Sequence, residues 1–249
     1  FVGVFFAATR DHKMDIKNIK VIGFDADDTL WVNEPHYQQV EQEFCKLLAE
    51  FLPEKQLSEE LFNTEMQNLA LYGYGGKSFL LSMIETAQRI SNNRVENQTL
   101  AQIITLGKTL LDQPVELLDG VKETLEKLGS RDVELILATK GDLLDQERKL
   151  AKSELKNYFH HIEIMSDKKQ QNYEVLLAHL DIAPENFLMI GNSLKSDIIP
   201  VVELGGFAIH VPYHTTWAHE LVDELPDLLN YQQVTIISEV LNLFDNEKI

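Results

Sequence analysis

Short apolar runs that alternate with amphipathic stretches are the feature of this sequence that most restricts its fold. From about residue 120 onward, the runs cover residues 133–138, 162–165, 187–190 and 207–211, and segments with helical spacing lie between them. This alternation is typical of strand–helix–strand units, whose right-handed crossovers build a parallel sheet. The sequence therefore predicts an α/β fold with a Rossmann-like parallel sheet core.

An earlier apolar run, residues 20–24, predicts one more buried strand of the same sheet. After it, residues 33–114 show helical spacing and no strand pattern, so we expect a smaller all-helical domain inserted into the core. The predicted core then comprises residues 14–32 and 115–249. We expect residues 1–13 to be an N-terminal extension outside the fold.

The charge of the chain limits its partners. The formal net charge is −18, and a surface that acidic repels nucleic acid and anionic membranes, so we expect neither as a partner. No apolar run approaches the roughly 20 residues that span a bilayer. Cys45 is the single cysteine, which excludes an intrachain disulfide and favours a reducing, cytoplasmic location.

Polar residues follow the apolar runs directly. In an open α/β sheet, ligands bind beyond the carboxyl ends of the strands, so side chains from separate segments meet at one edge. The residues in this position are Asp25, Asp27, Thr139, Lys168, Asn192 and Asp197. Their convergence predicts a functional site at that edge of the sheet.

Residues 25–29, Asp-Ala-Asp-Asp-Thr, are the sharpest part of this predicted site. Their carboxylates repel one another unless protons or a cation intervene, and Mg²⁺ prefers such oxygen ligands. Two carboxylates can also divide the chemistry, since one can attack while the other handles a proton. Taken alone, a solvated acidic turn explains the segment equally well.

Thr139 and Lys168 favour phosphate chemistry over a solvated turn. A phosphoryl group in transfer carries negative charge on its oxygens and needs hydrogen-bond donors and a cation held in place. Thr139 begins the turn 139–142, where free backbone N–H groups collect, and Lys140 in that turn is a further candidate for phosphate binding. Lys168 supplies a point charge, and Lys169 is its rival for that role.

The segment 191–197, Gly-Asn-Ser-Leu-Lys-Ser-Asp, follows an apolar strand. The amide of Asn192 and the carboxylate of Asp197 can complete a metal site there. For this segment alone, the alternative is a strand–helix turn in which Asn192 or Ser193 caps the helix.

In their order and spacing, these segments resemble the motifs of the haloacid dehalogenase-like (HAD) superfamily. The D-x-D-x-T motif of that family matches residues 25–29. Its second motif, a Thr or Ser after a core strand, matches Thr139, and the Lys of its third motif matches Lys168. Its last motif, an acidic turn, matches residues 191–197. The resemblance implies an HAD-like core with a helical cap.

The resemblance also implies a role for each residue. Asp25 would be the nucleophile that forms an aspartyl-phosphate, and Asp27 would protonate the leaving group and then activate water. Thr139 and Lys168 would hold the phosphoryl oxygens. The helical stretch 33–114 looks like the cap of the family, which closes over the site and selects the substrate.

Mg²⁺ is the cofactor that the resemblance implies. Its ligands would be the Asp25 carboxylate, the Asp27 backbone carbonyl, and Asn192 and Asp197 of the last motif. Metal-dependent members often carry Asp where this chain has Asn192, and an amide oxygen ligates without adding charge. The sequence leaves open which of Asn192 and Asp197 carries more of the metal binding.

Within the predicted cap, residues 72–79 read Tyr-Gly-Tyr-Gly-Gly-Lys-Ser-Phe. The glycines permit a tight turn or a close backbone approach, and Lys77 is a candidate for contact with the substrate. The alternative is an ordinary connection between two helices.

These residues favour a Mg²⁺-dependent phosphatase that hydrolyses a small phosphorylated metabolite. A haloacid dehalogenase, a phosphomutase on the same fold and a regulatory module with a decayed site are the alternatives. The dehalogenase branch generally lacks the second Asp of the first motif, so Asp27 argues against it. The intact Asp25, Thr139 and Lys168 argue against decay. The substrate and the oligomeric state stay open.

Overall fold

The computed structural model describes Met14, residues 16–223 and residues 229–245 of the 249-residue chain. The predicted N-terminal extension, residues 1–13, lies outside the described residues. The described chain forms a parallel sheet flanked by helices, with a further set of helices inserted between the first two strands.

The sheet is parallel throughout, which confirms the predicted Rossmann-like α/β core. Within the described residues it has six strands: β1 (Val21–Phe24), β2 (Glu134–Lys140), β3 (His161–Met165), β4 (Phe187–Gly191), β5 (Phe207–His210) and β6 (Tyr231–Gln233). Their spatial order is β3-β2-β1-β4-β5-β6, so the chain builds outward on one side of β1 and then on the other. The change of direction lies between β1 and β4, and α/β sheets bind ligands at such a point.

Side chains of the central strands alternate between the two faces of the sheet. On β1, Ile22 and Phe24 pack into the core on one face, and Val21 packs into the core on the other. Helices cover both faces, which explains why the central strands are apolar at nearly every position. Gly23 is needed in this strand, because a Cβ there would lie 2.7 Å from the ring of Phe187.

Helices from the second half of the chain cover the sheet. The face with Ile22 is covered by α5 (Val121–Gly129), α6 (Leu143–Ser153) and α9 (Val240–Asp245). The face with Val21 is covered by α7 (Gln170–His179) and α8 (Ile199–Glu203). Among the described helices, none is both long enough and apolar enough to cross a bilayer.

The inserted helices are α1 (Glu34–Leu47), α2 (Glu54–Tyr72), α3 (Gly76–Ile90) and α4 (Asn97–Leu111), which we call the helical insert. The insert has a hydrophobic core of its own, which includes Phe44, Leu57 and the buried Cys45. Helix α3 packs closely on α4 at Gly107, because a Cβ there would lie 2.7 Å from a methyl group of Leu80.

Trp31 anchors the junction between the helical insert and the sheet. It is buried and forms isolated β-bridges with Asp27 and Leu117. The backbone N–H of Val32 donates to the carbonyl of Glu116 at 2.9 Å, so the two connections to the insert run side by side. The insert is therefore tethered directly beside the first motif.

Two strand predictions need correction. The apolar run predicts that the second strand ends at residue 138, but Thr139 lies inside β2 and pairs with Ile164 of β3. No apolar run predicts β6, whose residues are Tyr-Gln-Gln. This strand pairs with β5 at the edge of the sheet. In both cases a neighbouring strand supplies backbone partners, so pairing continues where the hydrophobic pattern has stopped.

Candidate active site

The segments after β1 and β4 meet at the carboxyl edge of the sheet. Asp25 directly follows β1, and its backbone N–H donates to the carbonyl of Ile190 at 2.9 Å. Asn192 directly follows β4, and its backbone N–H donates to the hydroxyl of Thr29 at 3.0 Å. The first and last predicted motifs are therefore in contact.

Lys168 lies between the carboxylates of these two motifs. Its Nζ is 2.5 Å from Asp25 Oδ1 and 2.6 Å from Asp197 Oδ1. Thr29 Oγ1 donates to Asp25 Oδ2 at 2.9 Å, so both oxygens of Asp25 are held. The backbone N–H of Ser193 donates to Asp197 Oδ2 at 3.0 Å. The lysine and both carboxylates are buried.

Burial dominates the electrostatics of Asp25. It raises the pKa of Asp25 to about 7, although Lys168 lowers it, and Asp197 adds to the rise. Burial alone would lower the pKa of Lys168, but Asp197 and Asp25 outweigh that effect and raise it. Lys168 is therefore charged, and two buried carboxylates share its single charge. The group carries excess negative charge when both carboxylates are ionised.

This excess charge and the surrounding oxygens fit a hard cation such as Mg²⁺. The oxygen donors are the carboxylates of Asp25 and Asp197 and the side-chain amide of Asn192, whose Oδ1 lies 3.3 Å from Thr29 Oγ1. Among the described residues, no three His, Cys, Asp or Glu side chains form a metal cluster by themselves. A bound Mg²⁺ would therefore need the amide of Asn192 and a backbone carbonyl, such as that of Asp27, beside the two carboxylates.

Three donors that belong to none of the predicted motifs hold the Asp27 carboxylate. The indole N–H of Trp31 donates to Oδ1 at 2.7 Å, and the amide of Gln146 donates to Oδ2 at 2.8 Å. Lys149 Nζ lies 3.0 Å from Oδ1 and also donates to Asn33 Oδ1 at 2.7 Å. Lys149 therefore links the second Asp of the first motif to the start of the helical insert.

The two candidate lysines of the third motif differ sharply in environment. Lys168 is buried against Asp25, whereas the side chain of Lys169 is 78% exposed and pairs with Asp167 at 2.8 Å. Tyr173 is also buried, and its hydroxyl donates to the carbonyl of Ser196 at 3.0 Å. Lys168 is therefore the lysine that lies beside the first motif.

A cleft of about 1170 Å³, open to solvent, lies between the edge of the sheet and the helical insert. Asp25, Thr139 and Lys168 line it from the sheet, and Tyr37 and Glu65 line it from the insert. Asp25, Thr139 and Lys168, the predicted nucleophile and two of the predicted phosphate-binding residues, thus share one cavity that both parts of the molecule line.

Comparison with known proteins identifies the family. Residues 19–205 match the family model of haloacid dehalogenase-like hydrolases. The chain belongs to this family. The matched range begins just before β1 and extends beyond the last motif, so it contains the residues of the site and the whole helical insert.

Solved structures similar to this HAD-like hydrolase span nearly its whole length. A haloacid dehalogenase-like family hydrolase from Xanthomonas campestris is 36% identical over 96% of each chain, with a TM-score of 0.81. A 2-haloacid dehalogenase from Pseudomonas syringae is 18% identical over 92% of this chain and 99% of its own, with a TM-score of 0.62. The HAD-hydrolase YfnB from Bacillus subtilis, bound to magnesium, is 16% identical over 91% and 99%, with a TM-score of 0.62.

Similarity to these structures leaves the reaction of this HAD-like hydrolase open. Neighbours of 15–18% identity carry the names of phosphatases, dehalogenases and a phosphoglucomutase, and likeness at that level concerns the fold alone. A comparison with curated proteins finds no match. The chemistry must therefore be argued from the residues of the site.

Lys140, predicted to bind phosphate, already has partners in this hydrolase. Its Nζ donates to Ser196 Oγ at 2.9 Å, forms an ion pair with Glu220 and lies 4.3 Å from the ring centroid of Tyr74. Burial would raise the pKa of Glu220, but Lys140 and the hydroxyls of Ser193 and Ser196 lower it to about 2. Lys140 lines the cleft, yet its charge is balanced by the protein itself.

Lys77, the predicted substrate contact of the insert, lies at the junction with the sheet. Its Nζ is 2.9 Å from Asp142 Oδ1, and it is not among the described residues that line the cleft. Its neighbour Tyr74 does line the cleft and donates to Asp167 Oδ1 at 3.3 Å. Gly75, with φ of 108°, permits this close approach, because a Cβ there would lie 3.1 Å from the backbone nitrogen of Asp142.

Sequence reasoning missed Gln146, Lys149 and Glu220. Gln146 and Lys149 lie on α6, an amphipathic helix in which polar residues are expected to be exposed to solvent. Glu220 lies in a short 3₁₀ turn that follows β5 and carries no motif. A search for polar residues at the first turn of the helix after the second motif could have flagged Gln146, but no signal marks the other two.

Proposed function

We propose that this HAD-like hydrolase is a Mg²⁺-dependent phosphatase that cleaves a small phosphorylated substrate through an aspartyl-phosphate on Asp25. The observation that carries the proposal is the contact of Lys168 with both Asp25 and Asp197 at the wall of an open cleft. A lysine in this position offsets the charge of the carboxylate and allows a phosphate dianion to approach it.

The proposed reaction has two steps. In the first, an Asp25 oxygen attacks phosphorus, the bond between phosphorus and the ester oxygen breaks, and protonated Asp27 gives its proton to the departing oxygen. In the second, Asp27 takes a proton from water, whose oxygen attacks phosphorus and releases phosphate from Asp25. The products are an alcohol and inorganic phosphate, and both carboxyl groups return to their starting states.

Lys168 and Thr139 would hold the phosphoryl oxygens during both steps. Lys168 Nζ already lies 2.5 Å from the attacking carboxylate, and Thr139 lines the same cleft. Mg²⁺ bound at Asp25, Asp197 and Asn192 would supply additional stabilisation of charge on the phosphoryl oxygens. The magnesium in the HAD-hydrolase YfnB supports this choice of metal for the same fold.

The helical insert would act as a cap in this proposal. It supplies one wall of the cleft, and its loop reaches the sheet through Tyr74 and Lys77. Closure of such a wall over bound substrate excludes bulk water, which strengthens electrostatic interactions with the reacting group.

A haloacid dehalogenase fits the cleft less well. Its substrate carries a carboxylate that needs a cationic partner. No arginine is found among the described residues that line the cleft, and Lys140 and Lys149 each pair with a carboxylate of the protein, which leaves Lys168 beside Asp25 as the cation at the reacting centre. A phosphomutase would differ from the proposed enzyme in returning the phosphoryl group to substrate, and none of the described residues that line the cleft favours that step over attack by water.

The test is a panel of phosphate monoesters assayed with Mg²⁺, with chelator and with the Asp25→Asn variant. We expect phosphate release that requires Mg²⁺ and falls by at least about a thousandfold in Asp25→Asn. Asp132→Asn, a change at an exposed carboxylate outside the cleft, is the matched control and should keep full activity.

Two results would contradict the proposal. One is undiminished phosphate release by Asp25→Asn. The other is halide release from a haloacid in the presence of chelator, with no phosphate release from any ester.

A further inference from the structure

Glutamates of the helical insert line the cleft opposite the sheet. Glu34 and Glu41 lie on α1, seven residues apart, so they share one face of that helix, and Glu65 lies on α2. All three line the same cleft as Asp25. We call Glu34, Glu41 and Glu65 the insert carboxylates.

The insert carboxylates have no cationic partner among the described residues. None of them forms an ion pair there, although many other acidic residues of the chain do. The lysines that line the cleft form ion pairs with other carboxylates: Lys168 pairs with Asp25, Lys149 with Asp27 and Lys140 with Glu220. The described lining of the cleft therefore contains no cation that offsets these three carboxylates.

The environment of the insert carboxylates makes their ionisation unfavourable when no ligand is bound. Burial raises the pKa of Glu34 to about 8, with further rises from Asp28 and Glu41. Burial likewise raises the pKa of Glu65 to about 8, with further rises from Glu41 and Glu34. Neighbouring carboxylates thus increase the cost of ionising Glu34 and Glu65, and a bound cation would lower that cost.

Other groups that line the cleft also suit a cation. The rings of Tyr37 and Phe79, with centroids 5.2 Å apart, line the cleft beside the insert carboxylates, and aromatic faces attract cations. Gln146 lines the cleft as well and is 3% exposed. Its Oε1 has no hydrogen-bond partner among the described residues, while its Nε2 is bound to Asp27. This buried oxygen is an acceptor without a donor among the described residues.

We propose that the substrate is the phosphate ester of an amino alcohol, whose ammonium group binds the insert carboxylates while its phosphate lies at Asp25. The proposal rests on the phosphatase function and adds the substrate class. The ammonium of the departing amino alcohol would supply the positive charge that the insert carboxylates lack. A second negative charge on the substrate would meet the same carboxylates and be repelled.

The experiment compares two series of phosphate monoesters with the wild-type enzyme. One series is ω-aminoalkyl phosphates of increasing chain length, and the other is n-alkyl phosphates in which a methyl group replaces each ammonium. Hydrogen bonds to charged groups contribute about 1.5–3 kcal/mol, so we expect kcat/KM to favour the best amine by roughly tenfold to a hundredfold over its alkyl match.

Variants of the insert carboxylates test whether these residues cause the preference for an amine. Glu65→Gln and Glu41→Gln should each reduce the ratio of kcat/KM between the amine and its alkyl match by at least about fivefold. Glu59→Gln is the matched control, since Glu59 is on the same helix as Glu65 and its side chain is 61% exposed and outside the cleft. It should leave the ratio unchanged.

The outcomes separate this proposal from the phosphatase function. Equal hydrolysis of both series would overturn the assignment of an amino alcohol. A preference that the Glu65→Gln and Glu41→Gln variants retain would overturn the binding of its ammonium at the insert carboxylates. Both results leave the phosphatase function intact. Failure to release phosphate from either series and from 4-nitrophenyl phosphate would overturn both.

Discussion

Lys149 matters at the scale of single residues because it joins two parts of the site that are separate in sequence. It contacts Asp27, the proposed acid and base, and Asn33, the residue before the first helix of the insert. It also lies 3.8 Å from Asp145 Oδ2 on its own helix. A single ammonium therefore fixes the orientation of Asp27 relative to the junction with the insert.

We expect Lys149→Met to lower kcat by about tenfold or more, because Asp27 loses a charged partner that orients it for proton transfer. KM should change less, since the phosphate contacts of Lys168 remain. Steady-state kinetics with the best substrate of the panel measures both. Lys152→Met is the control, since Lys152 lies on the same helix but pairs with Asp112. Equal losses in the two variants would show that Lys149 acts only through the stability of the helix.

The sequence located the residues of the site that follow buried strands. Asp25, Lys168 and Asp197 come together because the parallel strands before them end at one edge, and such strands are visible as apolar runs. Lys149 and Glu220 could not be located in this way. Their roles depend on how a helix and a loop pack against the edge, and the local sequence does not encode that packing.

At the scale of elements, Glu220 links the 3₁₀ turn Ala218–Glu220 to the turn that follows β4. It accepts from the hydroxyls of Ser193 and Ser196 and pairs with Lys140 of β2. One partly buried carboxylate thus holds three elements in place around the last motif.

Glu220→Gln should destabilise the protein in a way that depends on pH. The pKa of Glu220 is lowered from 4.5 to about 2, so its stabilising contribution is present above pH 4.5 and is lost as the pH falls toward 2. We expect the variant to lose about 2–3 kcal/mol of unfolding free energy near neutral pH and progressively less in acid. Denaturant titrations from neutral pH downward measure this difference. Exposed Glu134→Gln is the control, and a loss that does not shrink in acid would contradict the account.

The sequence predicted most elements that bury an apolar face, although not α9, and missed β6 and the end of β2, where strand pairing extends beyond the apolar runs. Strands β1 to β5 and the helical nature of the insert follow from hydrophobic periodicity. β6 is a half-exposed edge strand without an apolar run, and the last residues of β2 are polar. Their pairing depends on neighbours distant in sequence, so no local pattern could reveal it.

At the scale of the whole molecule, acidic side chains are concentrated in the cleft as well as on the surface. The chain carries a formal net charge of −18, and the cleft between its two parts is lined by the insert carboxylates Glu34, Glu41 and Glu65, which form no ion pair among the described residues. A fold that keeps such groups in a cleft gives up stability there, as active sites commonly do.

Glu65→Gln should therefore stabilise the ligand-free protein at alkaline pH. The pKa of Glu65 is raised from 4.5 to about 8, so the folded state binds more protons than the unfolded state between these values and stability falls as the pH rises through them. We expect a gain of about 1–2 kcal/mol in the variant above pH 8 and none below pH 4.5. Thermal unfolding across this range measures it, with Glu59→Gln as control. A variant no more stable than wild type at alkaline pH would contradict the account.

The most direct test of the central claim is to find the phosphoryl group on Asp25. The Asp27→Asn variant, mixed with Mg²⁺ and 4-nitrophenyl phosphate, should complete the first step because nitrophenolate leaves without a proton, and should stall before the second. Mass spectrometry after an acid quench should then find one phosphoryl group on the peptide that contains Asp25, and none in the variant that also carries Asp25→Asn. Release of nitrophenolate with no phosphoryl group on Asp25, or with that group on another residue, would contradict the account.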